Sequence, residues 1–316
     1  MVVHRTTQTN LMKIWTNITY ADAVMKIFQD GIAEHELVAE LADAEIAFGF
    51  TGPEQHQNTS ALKWIQVPAA GYEKFDTLEW RAWLKDRGIV LTNSSSVYNE
   101  PCAQQVLAML MALSRRLPQA FALQAGDHSW PQWAERSQIY LPNGQTVLLL
   151  SYGAIARRLC ELLAPLQMNL IAVRRHPTGE EAIKTITATE LPDYLPIADH
   201  VINILPANPA TQNFMNAERF AQMKRGAIYY NIGRGTTTDQ DALIAALNSG
   251  QVSYAYLDVT NPEPLPPDHI LWSTRNCYIC PHTAGGHHNE HERLVRLFLE
   301  NLRRIQANED LLDRIV

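Results

Sequence analysis

Apolar positions along this chain fall into two rhythms. From Gln145 onward, near-continuous apolar runs at 146–150, 170–173, 201–205, 228–232, 254–257 and 278–279 alternate with stretches of helical periodicity, such as 154–164 and 240–248. Short apolar runs bounded by turn residues read as strands covered on both faces. Strands alternating with helices predict βαβ units and an α/β fold built on a doubly wound parallel sheet. The first hundred residues repeat the rhythm less clearly. Strands are predicted at 45–48, 62–66 and 89–92 and helices at 22–29 and 77–85, which makes a second, smaller α/β domain. Residues 1–20 are too ambiguous to assign.

Between the halves, 99–117 is apolar on nearly all sides through Val106, Leu107, Met109, Leu110, Met111 and Leu113. A helix is predicted there, with Asn99 as cap, Pro101 in the first turn and Pro118 as the stop. Such a helix is buried in a core or in a subunit contact. The stretch 119–145, rich in Trp, Pro and Gln, reads as an irregular arm able to wrap a partner subunit. Trp80, Trp83, Trp130, Trp133 and Trp272 could line a substrate pocket, but at least three of them read as packing groups.

Composition narrows the function classes. The 316 residues are 46% hydrophobic and 19% charged, with a formal net charge of −7. That charge argues against nucleic acid or an anionic membrane as the main partner. The apolar run 106–113 falls far short of the roughly 20 residues that span a bilayer. The start, MVVHRTTQTN, lacks the apolar stretch of a secretory signal, so a cytosolic enzyme is the expectation. Cys277 and Cys280 spell CxxC, which is half a zinc site; they read as a buried strand end. His287, His288 and His291 read as a polar helix start, and no metal is expected.

Candidate chemistry begins at TVLLLSYGAIARRL, a strand, turn and helix. Ser151, Gly153 and Ala156 occupy the three positions of a G-x-G-x-x-G/A turn. The second glycine, which lets backbone approach a pyrophosphate, is present; Ser replaces the first. By motif alone, a cofactor loop and an ordinary strand-to-helix turn are equally open. The strand–turn–helix context favours the cofactor loop, whose helix would offer N–H groups to phosphate. At the end of the next strand, where an NAD enzyme carries an acidic residue for the ribose 2′-OH, this chain has Arg174 and Arg175. They read either as a solvated basic loop or as a grip for a 2′-phosphate. Their position favours the phosphate, hence NADP, with NAD possible.

Three further residues sit in telling segments: Arg234 in NIGRG, Glu263 in DVTNPEPLP and His282 in CPHTAGG. Arg234 keeps its charge and can donate two parallel hydrogen bonds to a substrate carboxylate. Gly233 and Gly235 beside it would let a ligand approach the backbone. His282 can trade a proton near neutral pH, and Glu263 would favour its charged form and fix its tautomer. With a nicotinamide cofactor, such a set suits a 2-keto acid or a 2-hydroxy acid. Asp239 reads as a helix cap.

The segments LKWIQVPAAGYEKFD, RGIVLTN, ADHVINILPANPATQNFMN, MKRGAIYYNIGRGTTTDQDAL, YLDVTNPEPLP and CPHTAGG carry a resemblance. From about Leu62 to about Leu302 the chain resembles the D-isomer-specific 2-hydroxyacid dehydrogenases, of the glyoxylate/hydroxypyruvate reductase branch. The resemblance implies catalytic Arg234, Glu263 and His282. It implies that Asp258 faces the nicotinamide amide, that Ala154 and Ile155 sit at the phosphate turn, and that Pro206, Ile232 and Gly233 flank the nicotinamide. Backbone N–H groups of Ala70 and Gly71 would hold the substrate carboxylate. It also implies a Rossmann domain over 99–284 and a flavodoxin-like substrate domain split between 1–98 and 285–316, with the active site between them and a homodimer formed through the long helix and arm. The expected reaction is reduction of a small 2-keto acid. Two rivals are a non-enzymatic cofactor-sensing scaffold and a formate dehydrogenase-like enzyme.

Overall fold

The computed structural model describes residues 11–316; the segment 1–10, read above for a signal sequence, lies outside the described residues. The chain forms two compact units: the first is the described part of Met1–Tyr98 with His287–Val316, and the second is Asn99–Gly286.

The first unit holds five parallel strands: β1 (Lys13–Thr16), β2 (Glu36–Leu37), β3 (Ile46–Phe48), β4 (Trp64–Gln66) and β5 (Val90–Thr92). Their order is β2-β1-β3-β4-β5, the flavodoxin-like arrangement. The helix Glu290–Ala307 joins this unit because Leu294, Val295, Phe298 and Leu302 recur every three or four residues and are all buried. Phe298 stacks on Trp64 with ring centroids 5.1 Å apart. The Trp64 indole N–H donates to Thr92 Oγ1 at 2.8 Å, so the largest core side chain carries no unmet donor. The last residues run along β5, where Ile315 N donates to Leu91 O, and so cover a sheet edge.

The second unit is a seven-stranded parallel sheet: β6 (Thr146–Leu150), β7 (Asn169–Val173), β8 (Lys184–Ile186), β9 (His200–Asn203), β10 (Ala227–Asn231), β11 (Val252–Leu257) and β12 (Cys277–Ile279). The order is β12-β11-β10-β9-β6-β7-β8. The order in which the chain adds strands reverses between β6 and β9, and ligands of doubly wound sheets bind outside the carboxyl ends of strands at such a point. Every residue of β9 and β10 is buried, as their near-unbroken apolar runs demand.

Several expectations change. The run 201–205 leaves the sheet at Asn203, whose amide turns inward to Tyr229 OH and Thr237 Oγ1 at 2.8 Å each. The long helix starts at Ser95, not Asn99, so Pro101 lies inside Ser95–Ser114. Arg116, left-handed at φ 57°, ends the turn after it, and Pro118 enters the first turn of a new helix, Leu117–Ala125. The arm is therefore partly helical, with a second helix at Gln132–Arg136. Arg116 ties it together, donating to Glu135 Oε2 at 2.6 Å and to Tyr254 OH at 2.9 Å. Trp130 and Trp133 are 87% and 74% exposed, so they are not packing groups of this chain's core. Among the described residues no single helix is long and apolar enough to cross a membrane.

Candidate active site

At the carboxyl end of β10, Asn231 organises the loop that carries Arg234. Its Oδ1 accepts from Gly233 N at 3.0 Å and its Nδ2 donates to Arg234 O at 3.1 Å. Thr237 Oγ1 donates to the same carbonyl at 2.7 Å. Arg234 is half-buried, and its Nη1 donates to Gly233 O at 2.7 Å. The two flanking glycines also have a use within the protein. A Cβ on Gly233 would stand 2.5 Å from Leu205 O, and one on Gly235 only 1.9 Å from Thr260 O. Glycine at both places lets the loops after β9, β10 and β11 close on one another.

His282 follows β12 in a left-handed turn, φ 53°. Asp258, at the end of β11, builds that turn from inside. Its carbonyl accepts from His282 N at 2.9 Å, and its carboxylate accepts from Thr283 N at 2.9 Å and Ala284 N at 3.0 Å. Burial pushes the Asp258 carboxyl above its ordinary range, while the two amides pull it back. Tyr256 OH lies 3.5 Å from the same carboxylate and accepts from Gln105 Nε2 at 2.9 Å. Sequence reading assigned no role to Tyr256 or Gln105; a Tyr and a Gln in apolar elements carry no motif.

The imidazole is held from outside by Glu263. His282 Nδ1 and Glu263 Oε2 are 2.9 Å apart, and Glu263 Oε1 accepts from Thr260 N at 2.9 Å. With Nδ1 engaged, Nε2 is the ring atom available to a substrate. His282, Glu263 and Asp258 line one cavity of about 380 Å³ together with Leu265 and Trp272. A carboxylate-paired imidazole on a partly apolar cavity can take or give a proton at a bound oxygen.

The β6 turn fits a dinucleotide. Gly153 precedes the helix Ala154–Leu163, whose first N–H groups, Ala154 and Ile155 among them, have no intrahelical acceptor. A Cβ on Gly153 would meet nothing nearer than Ser151 Oγ at 3.9 Å, so the space over the helix start is open. Ser151 stands at φ 120°, a conformation that glycine adopts freely and L side chains rarely do. Pro206 leaves β9, its carbonyl accepting from Thr211 Oγ1 at 2.6 Å. Ile232 leaves β10, its N–H donating to Asn203 O at 3.1 Å. Pro206, Ile232 and Gly233 thus lie beyond the carboxyl ends of adjacent strands.

Arg174 follows β7, with Arg175 exposed beside it. Its guanidinium is not open on all sides: Nη1 pairs with Glu181 Oε1 at 2.6 Å. Sequence reading missed Glu181; its only signal is an acid in the Thr-Gly turn PTGEE. In the first unit, Ala70 and Gly71 lie on the loop after β4. Asn93 Nδ2 donates to Ala70 O at 2.7 Å, and Ser94 N donates to Ala69 O at 2.9 Å. Asp239 caps the helix Gln240–Ser249, accepting from Ala242 N at 3.0 Å. Cys277 and Cys280 are free thiols, and burial pushes that of Cys277 up to about 12.

Comparisons with known proteins give the family. Residues 107–284 match the family model described as "D-isomer specific 2-hydroxyacid dehydrogenase, NAD binding domain". Human glyoxylate reductase/hydroxypyruvate reductase is 31% identical over 222 residues, covering 69% of this chain and 67% of that protein. Glyoxylate/hydroxypyruvate reductase B of Citrobacter koseri is 31% identical over 250 residues, covering 76% of this chain and 74% of its own. The structure of a D-isomer specific 2-hydroxyacid dehydrogenase from Xanthobacter autotrophicus Py2, in complex with NADPH and MES, shares the fold at a TM-score of 0.79 and 24% identity, covering 97% and 98% of the two chains. With a family model matching more than half the chain and relatives 31% identical over more than two thirds of it, the chain belongs to the D-isomer specific 2-hydroxyacid dehydrogenase family and is an NAD(P)-dependent oxidoreductase.

Proposed function

We propose that this chain reduces a small 2-keto acid, glyoxylate or hydroxypyruvate first, to the D-2-hydroxy acid, with NADPH preferred over NADH. The observation that carries the reading is the 2.9 Å contact between His282 Nδ1 and Glu263 Oε2 on a cavity of about 380 Å³. The nicotinamide, when bound, supplies the hydride to C2 of the keto acid. Arg234 is the anchor for the substrate carboxylate, with the Ala70–Gly71 backbone as a second group of donors. His282 gives its Nε2 proton to the C2 oxygen as negative charge develops there. Glu263 stabilises the imidazolium and keeps the Nδ1 proton on its own side. Asp258 fixes the backbone turn that aims the ring. In the oxidative direction the same imidazole takes the proton.

The substrate class is supported by relatives that are named glyoxylate and hydroxypyruvate reductases and are 31% identical to this chain. The cofactor preference is supported by Arg174 and Arg175, where an acidic residue would suit NADH. His282→Ala is expected to lower kcat by a factor of about 10² to 10⁴, the usual worth of a positioned acid/base, with Kd for NADPH little changed. Arg234→Ala should raise KM and lower kcat together. Wild-type turnover in both variants, measured with glyoxylate and hydroxypyruvate, would end this reading.

The chain is further proposed to act as a homodimer. Phe121, Trp130 and Trp133 are large apolar side chains exposed on one arm, an arrangement typical of a surface covered by a partner. Sedimentation velocity should give twice the 35.6 kDa chain mass, and a monomer at micromolar concentration would refute the assembly.

A further inference from the structure

The carboxylate of Glu181 is one of the most heavily bonded groups in the molecule. Its side chain is 4% exposed. Oε1 accepts from Thr178 N at 2.9 Å, Thr178 Oγ1 at 3.0 Å and Arg174 Nη1 at 2.6 Å. Oε2 accepts from Gly179 N at 2.9 Å and Thr185 Oγ1 at 3.1 Å. An ionised carboxylate has about four lone-pair sites, so these five donors saturate it. A ribose hydroxyl could bond to Glu181 only by displacing one of them. Glu181 therefore does not take the part of the acidic residue that holds a ribose 2′-OH in NAD enzymes, though it lies near the right strand end.

Its effect falls on Arg174. Glu181 engages Nη1 alone, and among the described residues no other acceptor bonds the Arg174 guanidinium. Nε and Nη2 form the edge that grips a phosphate with two parallel N–H donors. A free arginine side chain would have to give up its rotamer freedom on binding; here the buried carboxylate has already fixed it. We propose that Glu181 is a positioning residue for the cofactor's 2′-phosphate, locking Arg174 so that its Nε–Nη2 edge is pre-set at the carboxyl end of β7. This inference rests on the NADPH reading above and adds a residue to it.

Two effects of removing Glu181 oppose each other. Loss of its negative charge alone would strengthen phosphate binding; loss of its hold on Arg174 would weaken it. The five donors already offset the charge, so the hold dominates. The experiment is calorimetric titration of the full chain with 2′,5′-ADP and with 5′-AMP, probes that differ only in the 2′-phosphate, accompanied by melting temperatures. The wild type should bind 2′,5′-ADP more tightly; if it does not, the NADPH reading fails, whatever Glu181 does. Given that preference, Glu181→Gln should weaken 2′,5′-ADP about three- to tenfold, the worth of one immobilised long side chain, and leave 5′-AMP unchanged. Arg174→Ala should lose more, and adding Glu181→Gln to it should cost nothing further. Thr185→Val loosens the carboxylate without removing its charge, and should shift 2′,5′-ADP in the same direction. Unchanged or tighter 2′,5′-ADP binding in Glu181→Gln, or equal weakening of both probes, overturns the positioning role. If Glu181→Gln does not fold, Thr185→Val decides alone by the same two comparisons.

Discussion

Ser151 sits at φ 120° on a turn where its backbone would rather have glycine. A non-glycine residue in such a region costs about 1–3 kcal/mol, and glycine's extra freedom in the unfolded chain returns about 0.5–1 kcal/mol of that. Ser151→Gly is therefore expected to stabilise the protein by about 1 kcal/mol, read as a higher midpoint in urea at unchanged slope. A lower midpoint would mean that the serine hydroxyl contributes more than its backbone costs. At this scale the sequence showed the residue types and not their support. Glu263 and His282 stood out through whole segments, DVTNPEPLP and CPHTAGG after an apolar strand, since a histidine after a proline is by itself an ordinary loop residue. Nothing in the spelling CPHTAGG announced that Asp258, on a different strand, bonds three consecutive amides of that turn. Contacts between residues 24 to 26 positions apart are made by strand order, which no local pattern carries.

Among the elements, the buried parallel strands were legible because covering both faces demands an unbroken apolar run. β8 was not, because Lys-Thr-Ile at a sheet edge has a single buried residue. The start of the long helix was obscured by a polar first turn, SSVYNE, ahead of Pro101. The loops after β9, β10 and β11 behave as one assembly through Gly233 and Gly235. Gly235→Ala would drive a methyl group into the Thr260 carbonyl, and overpacking of this kind costs about 1–3 kcal/mol. Thr260 N also holds Glu263, so the same variant should lower kcat in steady-state assays as well as the melting temperature. Full activity with a lower melting temperature would separate the glycine from Glu263.

Across the whole molecule, acid acts on both units. Burial holds His56 in the first unit and His200 in the second at about 4, below the ordinary 6.5. A depressed histidine favours the folded state while it is neutral. That contribution is present above pH 6.5 and is lost as pH falls toward 4, because the unfolded chain takes up the proton first. Glu181 and Glu300 are held at about 2, Glu181 chiefly by the Thr178 amide and Glu300 chiefly by Arg303. Their contributions are present above the ordinary 4.5 and are lost as pH falls toward 2. Melting temperatures should therefore decline from pH 6.5 downward and keep declining below pH 4.5. A flat profile between pH 7 and 4 would contradict the buried, neutral histidines.

The Arg174–Glu181 pair also bears on attempts to change coenzyme choice by protein engineering. On the NADPH preference proposed above, swapping the arginine for an aspartate is the obvious route toward NADH, and it would take one of five donors from Glu181 and set a second anion beside it. Repulsion between the two carboxylates would then fall on the turn itself, and such a variant is expected to melt at a lower temperature than the wild type. Replacing both members at once would avoid that repulsion.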